Sequence, residues 1–242
     1  MKIISSIVIL GILIISTNGC KNENADDNIT PAINACKLVL TKNNLGDSSI
    51  LTYDDESRLI AIQQFDGNGK EVYYKSYTYN TGYIKVTGRT DAYTSVITLN
   101  ADGTANYEVI TQFGAPLYTI SYAYDSDGHN IRKVQVTNTG RYDTILYTYT
   151  NGNLTKVTAP YYLNENTYTT IKTADPYTID YLSGLYGKGS KNLPATSVEY
   201  FINATNDYSY SYQTNTAGYV VKKKSTPNGL PPVTTYNTYM CK

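Results

Sequence analysis

Apolar and polar residues alternate along most of the chain after residue 35, and short polar turns interrupt the alternation. In the segment 117–124 one face carries only large side chains: Tyr118, Ile120, Tyr122 and Tyr124. The segment 143–149 alternates in the same way, and in 197–202 the richer face holds Val198, Tyr200 and Ile202. A period of two with one richer face predicts antiparallel strands that bury one side of a sheet.

The turns recur as a repeated unit, in which a strand ends at a tyrosine and a polar, mostly glycine-containing turn leads into the next strand. Copies begin at Tyr53, Tyr79, Tyr124, Tyr149 and Tyr212. Asp-Gly and Asn-Gly pairs accept the positive φ angles of short hairpins, so these turns favour hairpin connections. One unit of about 20 to 26 residues therefore holds two strands and two turns.

A meander of this length cannot stay flat without exposing its apolar face. The pattern predicts an all-β fold, a curled single-layer antiparallel meander of half-barrel or barrel-like form, and a folded-over sandwich is the alternative.

One segment departs from the two-residue alternation. Asp175 and Pro176 suit a helix start and Gly187 a stop, with apolar residues at helical spacing between them: Ile179, Leu182 and Tyr186. We expect a short helix near 176–186 that plugs or covers the sheet.

Composition narrows the function classes. The chain has 242 residues, with 20 Lys and Arg against 20 Asp and Glu, so nothing in its charge favours a nucleic acid partner. It contains 27 Tyr but only 3 Phe and no Trp. Tyr favours a half-buried sheet surface, because its ring is apolar and its hydroxyl is polar. No cofactor motif, neither a P-loop nor a dinucleotide fingerprint, is present.

The first nineteen residues have the pattern of an export signal. Lys2 precedes an apolar run from Ile3 to Ile15, which as a helix would span roughly 20 Å, less than the ~30 Å of a bilayer core. Small and polar residues then lead to Cys20 and resemble a lipobox, although Thr17 stands where that motif usually has Leu. The resemblance implies cleavage before Cys20 and a lipid anchor on that residue. Ordinary secretory cleavage, with Cys20 unmodified, is the alternative.

Residues 20–34 are polar and without periodicity, as in a flexible tether, and the β domain is expected over 35–242. The acidic stretch after Cys20 resembles the surface-export signals of Bacteroides-group lipoproteins. The expected location is therefore the outer membrane, with the cell surface and the periplasmic face both open. The membrane is then a partner through the N-terminal anchor.

Two further cysteines, Cys36 and Cys241, lie near the two ends of the expected β domain. In an exported protein an even pair indicates a disulfide, and two buried free thiols are the alternative. A Cys-X-X-Cys motif is absent and the chain has 1 His, so a zinc site is not expected.

The tyrosine-turn-glycine units resemble YD repeats, the hairpin units of Rhs-type proteins, over roughly residues 50–225. The loop Gly187–Pro194, together with the lipobox and these hairpins, resembles a family of Bacteroides-group lipoproteins of unknown function with a porin-like fold. That resemblance implies a curled, single-layer antiparallel sheet. It supplies no activity and no site residues.

Candidate catalytic groups all have a simpler interpretation. His129 lies in the turn 125–130, which we expect to be solvated, and the same turn lacks the spacing of a calcium loop. Asp54, Asp55 and Glu56 occupy another turn. Lys222, Lys223 and Lys224 adjoin a strand and suit a solvated sheet edge that prevents pairing between molecules. The sequence therefore predicts a protein that is not an enzyme.

The tyrosines are the sequence feature best suited to binding a ligand. They can stack against sugar rings or a protein partner, or they can be core and cross-strand pairs, and we favour packing. The expected function is a non-catalytic binding or structural role in the cell envelope. A surface glycan-binding module that uses tyrosine stacking is the alternative, and a hydrolase with paired carboxylates is a more remote one.

Overall fold

A computed structural model describes residues 36–89, 92–172 and 184–241. Sixteen strands follow one another in these ranges. Their bounds are β1 Lys37–Asn43, β2 Ser48–Tyr53, β3 Leu59–Phe65, β4 Glu71–Asn80, β5 Tyr83–Gly88, β6 Tyr93–Leu99, β7 Ala105–Gln112, β8 Ala115–Tyr124, β9 Asn130–Thr137, β10 Tyr142–Thr150, β11 Asn153–Ala159, β12 Tyr162–Lys172, β13 Asn192–Phe201, β14 Ala204–Thr214, β15 Val220–Pro227 and β16 Val233–Met240.

The strands form one closed antiparallel barrel. Each strand pairs with its neighbours in sequence, and β1 pairs with β16 from Lys37 opposite Met240 to Asn43 opposite Thr235. The prediction of a curled, single-layer antiparallel meander is confirmed, in its closed form. Closure leaves no unpaired strand, which removes the exposed edges that antiparallel sheets otherwise have to protect.

The barrel has two different ends. At one end, here called the disulfide end, the even-numbered strands finish, and all the repeated tyrosine units turn there. Cys36 and Cys241, the pair for which the sequence indicated a disulfide, are bonded at this end across a sequence separation of 205 residues. A closed loop of this length removes chain entropy from the unfolded state worth about 5 kcal/mol. The opposite end is here called the distal end.

Tyrosine hydroxyls hold the strands together at the disulfide end. In five strand pairs, the hydroxyl of a tyrosine on the even-numbered strand donates to a carbonyl at or next to the start of the preceding strand. The bonds run from Tyr53 to Leu38, Tyr79 to Leu59, Tyr124 to Ala105, Tyr168 to Leu154 and Tyr239 to Val220, at 2.6–3.1 Å. Backbone pairing in these pairs begins further inside the barrel. The hydroxyls therefore extend the hydrogen-bond ladder where the strands separate.

Residues 184–191, the described part of the connection between β12 and β13, contact the disulfide end. Leu185 is 5% exposed and belongs to the hydrophobic core, and its carbonyl accepts the Ala105 amide at 2.7 Å. Further along, the amide of Lys188 donates to Gly128 and that of Lys191 to Gly152. The expected covering role of this segment therefore holds for its described part. Of the helix expected near 176–186, residues 176–183 lie outside the described residues, and residues 184–186 form a turn.

The interior has two unlike halves. Strands β2 to β8 fill their inward face with apolar side chains, among them Leu51, Ile62, Ile84, Val86, Ile97 and Ile120. The inward face of β12 to β15 instead carries half-buried tyrosines and polar groups. On β13 the richer face that we expected to be buried points outward, since Tyr200 is 38% exposed, while Ser197 on the other face is 6% exposed. Within the described residues no helix is long and apolar enough to span a membrane.

Candidate functional site

The polar half of the interior contains a group of side chains here called the lumenal cluster. Strand alternation and register direct its members from β12, β13, β14 and β15 into the barrel. The members are Tyr162, Ser197, Glu199, Tyr208, Tyr210 and Lys223. Their outward neighbours on β14 are the exposed residues Asp207, Ser209 and Ser211, so the tyrosines of this strand all lie on the inner side.

Hydrogen bonds and ring contacts connect the cluster. The amide of Asn164 donates to the Ser197 hydroxyl at 2.6 Å, and the Tyr162 hydroxyl donates to the Glu199 carboxylate at 3.3 Å. The rings of Tyr208 and Tyr210 lie nearly parallel, with an interplanar angle of 9° and centroids 6.4 Å apart. Two parallel tyrosine faces in a half-buried setting form a rigid platform for a planar or ring-shaped ligand.

Lys223 brings a positive charge to this platform. Its ammonium lies 4.8 Å from the centroid of the Tyr210 ring, within the range of a cation–π contact. The sequence placed Lys222, Lys223 and Lys224 at a solvated sheet edge, and that interpretation is wrong. β15 is paired on both sides, with β14 and with β16, so alternation turns Lys223 inward and its two neighbours outward.

The surroundings of the cluster shift several pKa values. Burial, with the adjacent Glu199 carboxylate, raises the pKa of Tyr162 to about 12. Burial also raises the pKa of Tyr210, an increase that a Ser197 hydrogen bond offsets in part and Glu199 reinforces. The pKa of Lys223 is lowered by burial. At neutral pH the tyrosines are therefore uncharged hydrogen-bonding groups, which suits them to bind neutral hydroxyls and rings.

A second buried polar group lies in the apolar half of the barrel. Glu108 is 7% exposed, and its carboxylate accepts a hydrogen bond from the Tyr122 hydroxyl at 2.7 Å. The Tyr122 ring also packs against Tyr186 with centroids 5.2 Å apart. Burial and these two neighbours raise the pKa of Tyr122 far above its ordinary value. Glu108 is thus enclosed by packed side chains, six strands away from Glu199 in the barrel.

His129 lies in a hairpin turn, as expected, but its side chain is not solvated. The residue is 9% exposed, its ring stacks on Tyr149 at a centroid distance of 4.3 Å, and Nδ1 lies 3.2 Å from the Asp125 carboxylate. Asp125, Asp127 and His129 lie close enough together to hold a cation. However, Asp125 also accepts the amides of Asp127 and His129, and these bonds define the turn. The trio is explained by turn structure and ring packing.

The acidic turn at Asp54, Asp55 and Glu56 is also a structural feature. Asp54 accepts hydrogen bonds from the backbone and the guanidinium of Arg58, and Glu56 pairs with the same guanidinium at 2.8 Å. Arg58 in turn lies over the Tyr79 ring at 4.8 Å. This turn is therefore a capped hairpin.

The expected signal peptide at 1–19, the lipidated Cys20 and the tether at 20–34 lie outside the described residues.

The distal end differs in character from the disulfide end. Its hairpin tips and strand starts carry large apolar or aromatic residues that are at least 64% exposed: Leu45, Phe113, Tyr142, Tyr161, Ile202 and Leu230. Between Tyr161, Leu163, Tyr200 and Ile202 lies a shallow cleft of about 400 Å³. The turns of the disulfide end, in contrast, consist mostly of polar residues and Gly.

Comparison with known proteins identifies the fold. No protein-family model matches the sequence, and no curated protein matches it. Among solved structures, a porin-like protein from Bacteroides uniformis is similar at 14% identity and a TM-score of 0.70, over 85% of this chain and 96% of that one. A porin-like protein from Bacteroides vulgatus is similar at 12% identity and a TM-score of 0.58, over 84% and 99%. At such identities the likeness establishes a shared barrel fold.

Proposed function

We propose that this chain is a non-catalytic lipoprotein of the cell envelope that binds its ligand in the barrel lumen through the lumenal cluster. The observation that carries the proposal is the pair of parallel, half-buried rings of Tyr208 and Tyr210 on the inward face of β14. The other half of the interior shows how the same fold packs when it only needs a core.

The scaffold around the cluster favours binding. The strands are hydrogen-bonded into a closed ring, and the Cys36–Cys241 bond fixes the two chain ends to each other. A rigid wall holds the tyrosine rings in place before a ligand arrives, so little side-chain entropy is lost on binding. The described part of the segment around Leu185 bonds to Ala105, Gly128 and Gly152 at the disulfide end, and we propose the distal end as the route into the lumen.

The proposed ligand class is a glycan. Sugar rings present an apolar face to an aromatic ring and hydroxyls at their edge, and the cluster offers both partners. Tyr208 and Tyr210 supply ring faces, while Glu199 and Ser197 supply hydrogen-bonding groups next to them.

A non-catalytic role is supported by how the inward carboxylates are used. Glu108 and Glu199 each accept a hydrogen bond from their own tyrosine, Tyr122 and Tyr162, and they stand on strands β7 and β13. Asp143 of β10, which the register also turns inward, lies 3.4 Å from the Arg141 guanidinium. Glycosidases place two carboxyl groups about 5–10 Å apart across one site. The hydrolase alternative would require two of these carboxylates to act together on one substrate from strands at least three positions apart in the barrel.

The proposed location follows from the N-terminal pattern. Lipidation at Cys20 would tether the barrel through residues 20–34 to its disulfide end, where Cys36 lies. The outward face carries charged side chains, among them Lys85, Lys156, Glu165 and Lys224. A barrel that faces lipid has an apolar outer band about 25 Å tall, so these charges favour a barrel anchored beside the membrane. Membership of the Bacteroides-group lipoproteins with YD-like hairpins is part of this proposal.

The test is glycan binding by the purified full chain, first on an array and then by calorimetry. Replacing Tyr208 and Tyr210 together by Ala should weaken binding by about 5- to 150-fold, because each stacked ring contributes about 0.5–1.5 kcal/mol. The matched control is Tyr236→Ala, which removes an outward tyrosine that is 50% exposed. Equal binding by the double variant and the control would refute the lumenal site.

Localisation needs its own test. Cys20→Ala should shift the protein from the membrane fraction to the soluble fraction of the envelope and abolish incorporation of labelled fatty acid. Membrane association that survives this change would show that Cys20 is not the anchor.

A further inference from the structure

The cations of the barrel wall include an outer group paired with carboxylates and an inward group, to which Lys223 belongs. Arg58, Arg89, Arg141 and Lys156 are each paired with a carboxylate on the outer surface or in a turn. Lys223 points inward, as do Lys75 and Lys133 by their register, and over the ranges that the structure covers no carboxylate forms an ion pair with Lys223. Its ammonium contacts the ring face of Tyr210.

The strands next to Lys223 offer it no anion. It stands opposite Tyr212 on β14 and opposite Thr235 on β16. The inward residues of these two strands are otherwise uncharged: Asn206, Tyr208 and Tyr210 on β14, and Val233, Asn237 and Tyr239 on β16. A cation–π contact compensates only a part of what an ammonium loses when it leaves water. The position therefore has an unmet preference for a negative charge.

The nearby carboxylate is directed elsewhere. Glu199 lies close enough to Tyr210 to raise its pKa, yet it accepts its hydrogen bond from Tyr162 on the β12 side. Tyr210 thus has a carboxylate on one side and an ammonium on the other. A ligand lying on the Tyr210 ring would place hydroxyl donors toward Glu199 and an acceptor or anion toward Lys223.

We propose that Lys223 is the specificity-determining residue of the lumenal site, and that the ligand is an acidic saccharide whose anionic group binds the Lys223 ammonium while a sugar ring stacks on Tyr210. This inference rests on the proposed function and adds the charge of the ligand to it. The anionic group is a carboxylate or a sulfate ester, which share the chemistry that an ammonium recognises.

The test compares probes that differ only in charge. The carboxylate arm uses trigalacturonic acid and its fully methyl-esterified form, and the sulfate arm uses a chondroitin sulfate tetrasaccharide and its desulfated form. Calorimetry with the full chain should give at least tenfold tighter binding of the charged member in one arm. That preference should shrink as salt concentration rises, although less than for an exposed ion pair.

The variants separate this inference from the proposed function. Lys223→Met should abolish the preference for the charged probe, so that the charged and uncharged probes bind with equal affinity, and the neighbouring outward Lys224→Met should keep the preference of the parent. Thermal unfolding checks the fold, and Lys223→Met should be at least as stable as the parent, because it removes a buried charge that lacks a carboxylate.

Each remaining outcome decides one of the two proposals. Binding of the uncharged probes with no preference for charge, or a preference that survives in Lys223→Met, overturns the role of Lys223 and leaves the glycan-binding proposal standing. If neither these probes nor any glycan of a broad array binds, the proposed function fails, and the inference fails with it.

Discussion

The tyrosine hydroxyls at the disulfide end can be tested one at a time, and Tyr124→Phe is the sharpest case. The change keeps the ring and removes the hydroxyl, which donates to the Ala105 carbonyl at 2.7 Å and lies 3.5 Å from the Leu185 carbonyl. Ala105 is fully buried, so water cannot replace the lost donor without opening the barrel end. A buried acceptor left without its partner costs about 1–3 kcal/mol.

The measurement is chemical denaturation of the full chain, followed by circular dichroism and completed by thermal melting. For a domain of this size a loss of 1 kcal/mol lowers the melting temperature by about 2–4 °C, so the expected decrease is roughly 2–12 °C. Tyr107→Phe is the matched control, because Tyr107 is 40% exposed and points outward. This control should lie within about 0.5 kcal/mol of the parent.

Equal stability of the two variants would refute the idea that hydroxyl-to-carbonyl bonds support this end of the barrel. The tyrosines there would then act through their rings alone. A loss for Tyr124→Phe that the control does not share would establish the hydroxyl bond as the cause.

Three other perturbations test separate parts of the structure. Reduction of the Cys36–Cys241 bond should lower the unfolding free energy by about 2–5 kcal/mol, measured by denaturation with and without reductant, and an unchanged midpoint would contradict the expected contribution. Gly187→Ala should destabilise the protein more than Gly229→Ala. Both glycines have positive φ (+92° and +74°), but of the two only Gly187 would place a Cβ 2.8 Å from a carbonyl oxygen. Equal melting temperatures of the two variants would argue against close packing of the covering segment. Alkaline pH should unfold the protein, because burial raises the pKa of tyrosines such as Tyr149 to about 12 from 10.0, so stability present below pH 10 is lost as the pH rises toward 12. Tyrosinate absorbance that rises smoothly around pH 10, as in a free tyrosine, would contradict this expectation.

The architecture was accessible from the sequence because its signals are local. Each hairpin carries its own turn residues and a strict alternation, and the repeated tyrosines mark the same end of successive strand pairs. Closure was left open between a half-barrel and a barrel, because the pairing of β1 with β16 joins residues from opposite ends of the chain. No local pattern records such a contact.

The candidate site was less accessible. Lys222, Lys223 and Lys224 look alike in sequence, and only pairing of β15 on both sides shows that the middle residue faces the lumen. The same problem affected β13, where the apolar face points outward and Ser197 and Glu199 point inward. Alternation defines two faces but not which of them is inside, and the register of the neighbouring strands supplies the answer.

The pairing of the first strand with the last has a consequence for how the protein is made. Lys37 meets Met240 only after β16 has been synthesised, so β1 has one side without a partner until then. Contacts between such distant residues form slowly, and an open sheet intermediate can pair with other chains in the meantime. Folding should therefore depend on factors that keep the incomplete sheet from pairing with other chains until β16 has been synthesised.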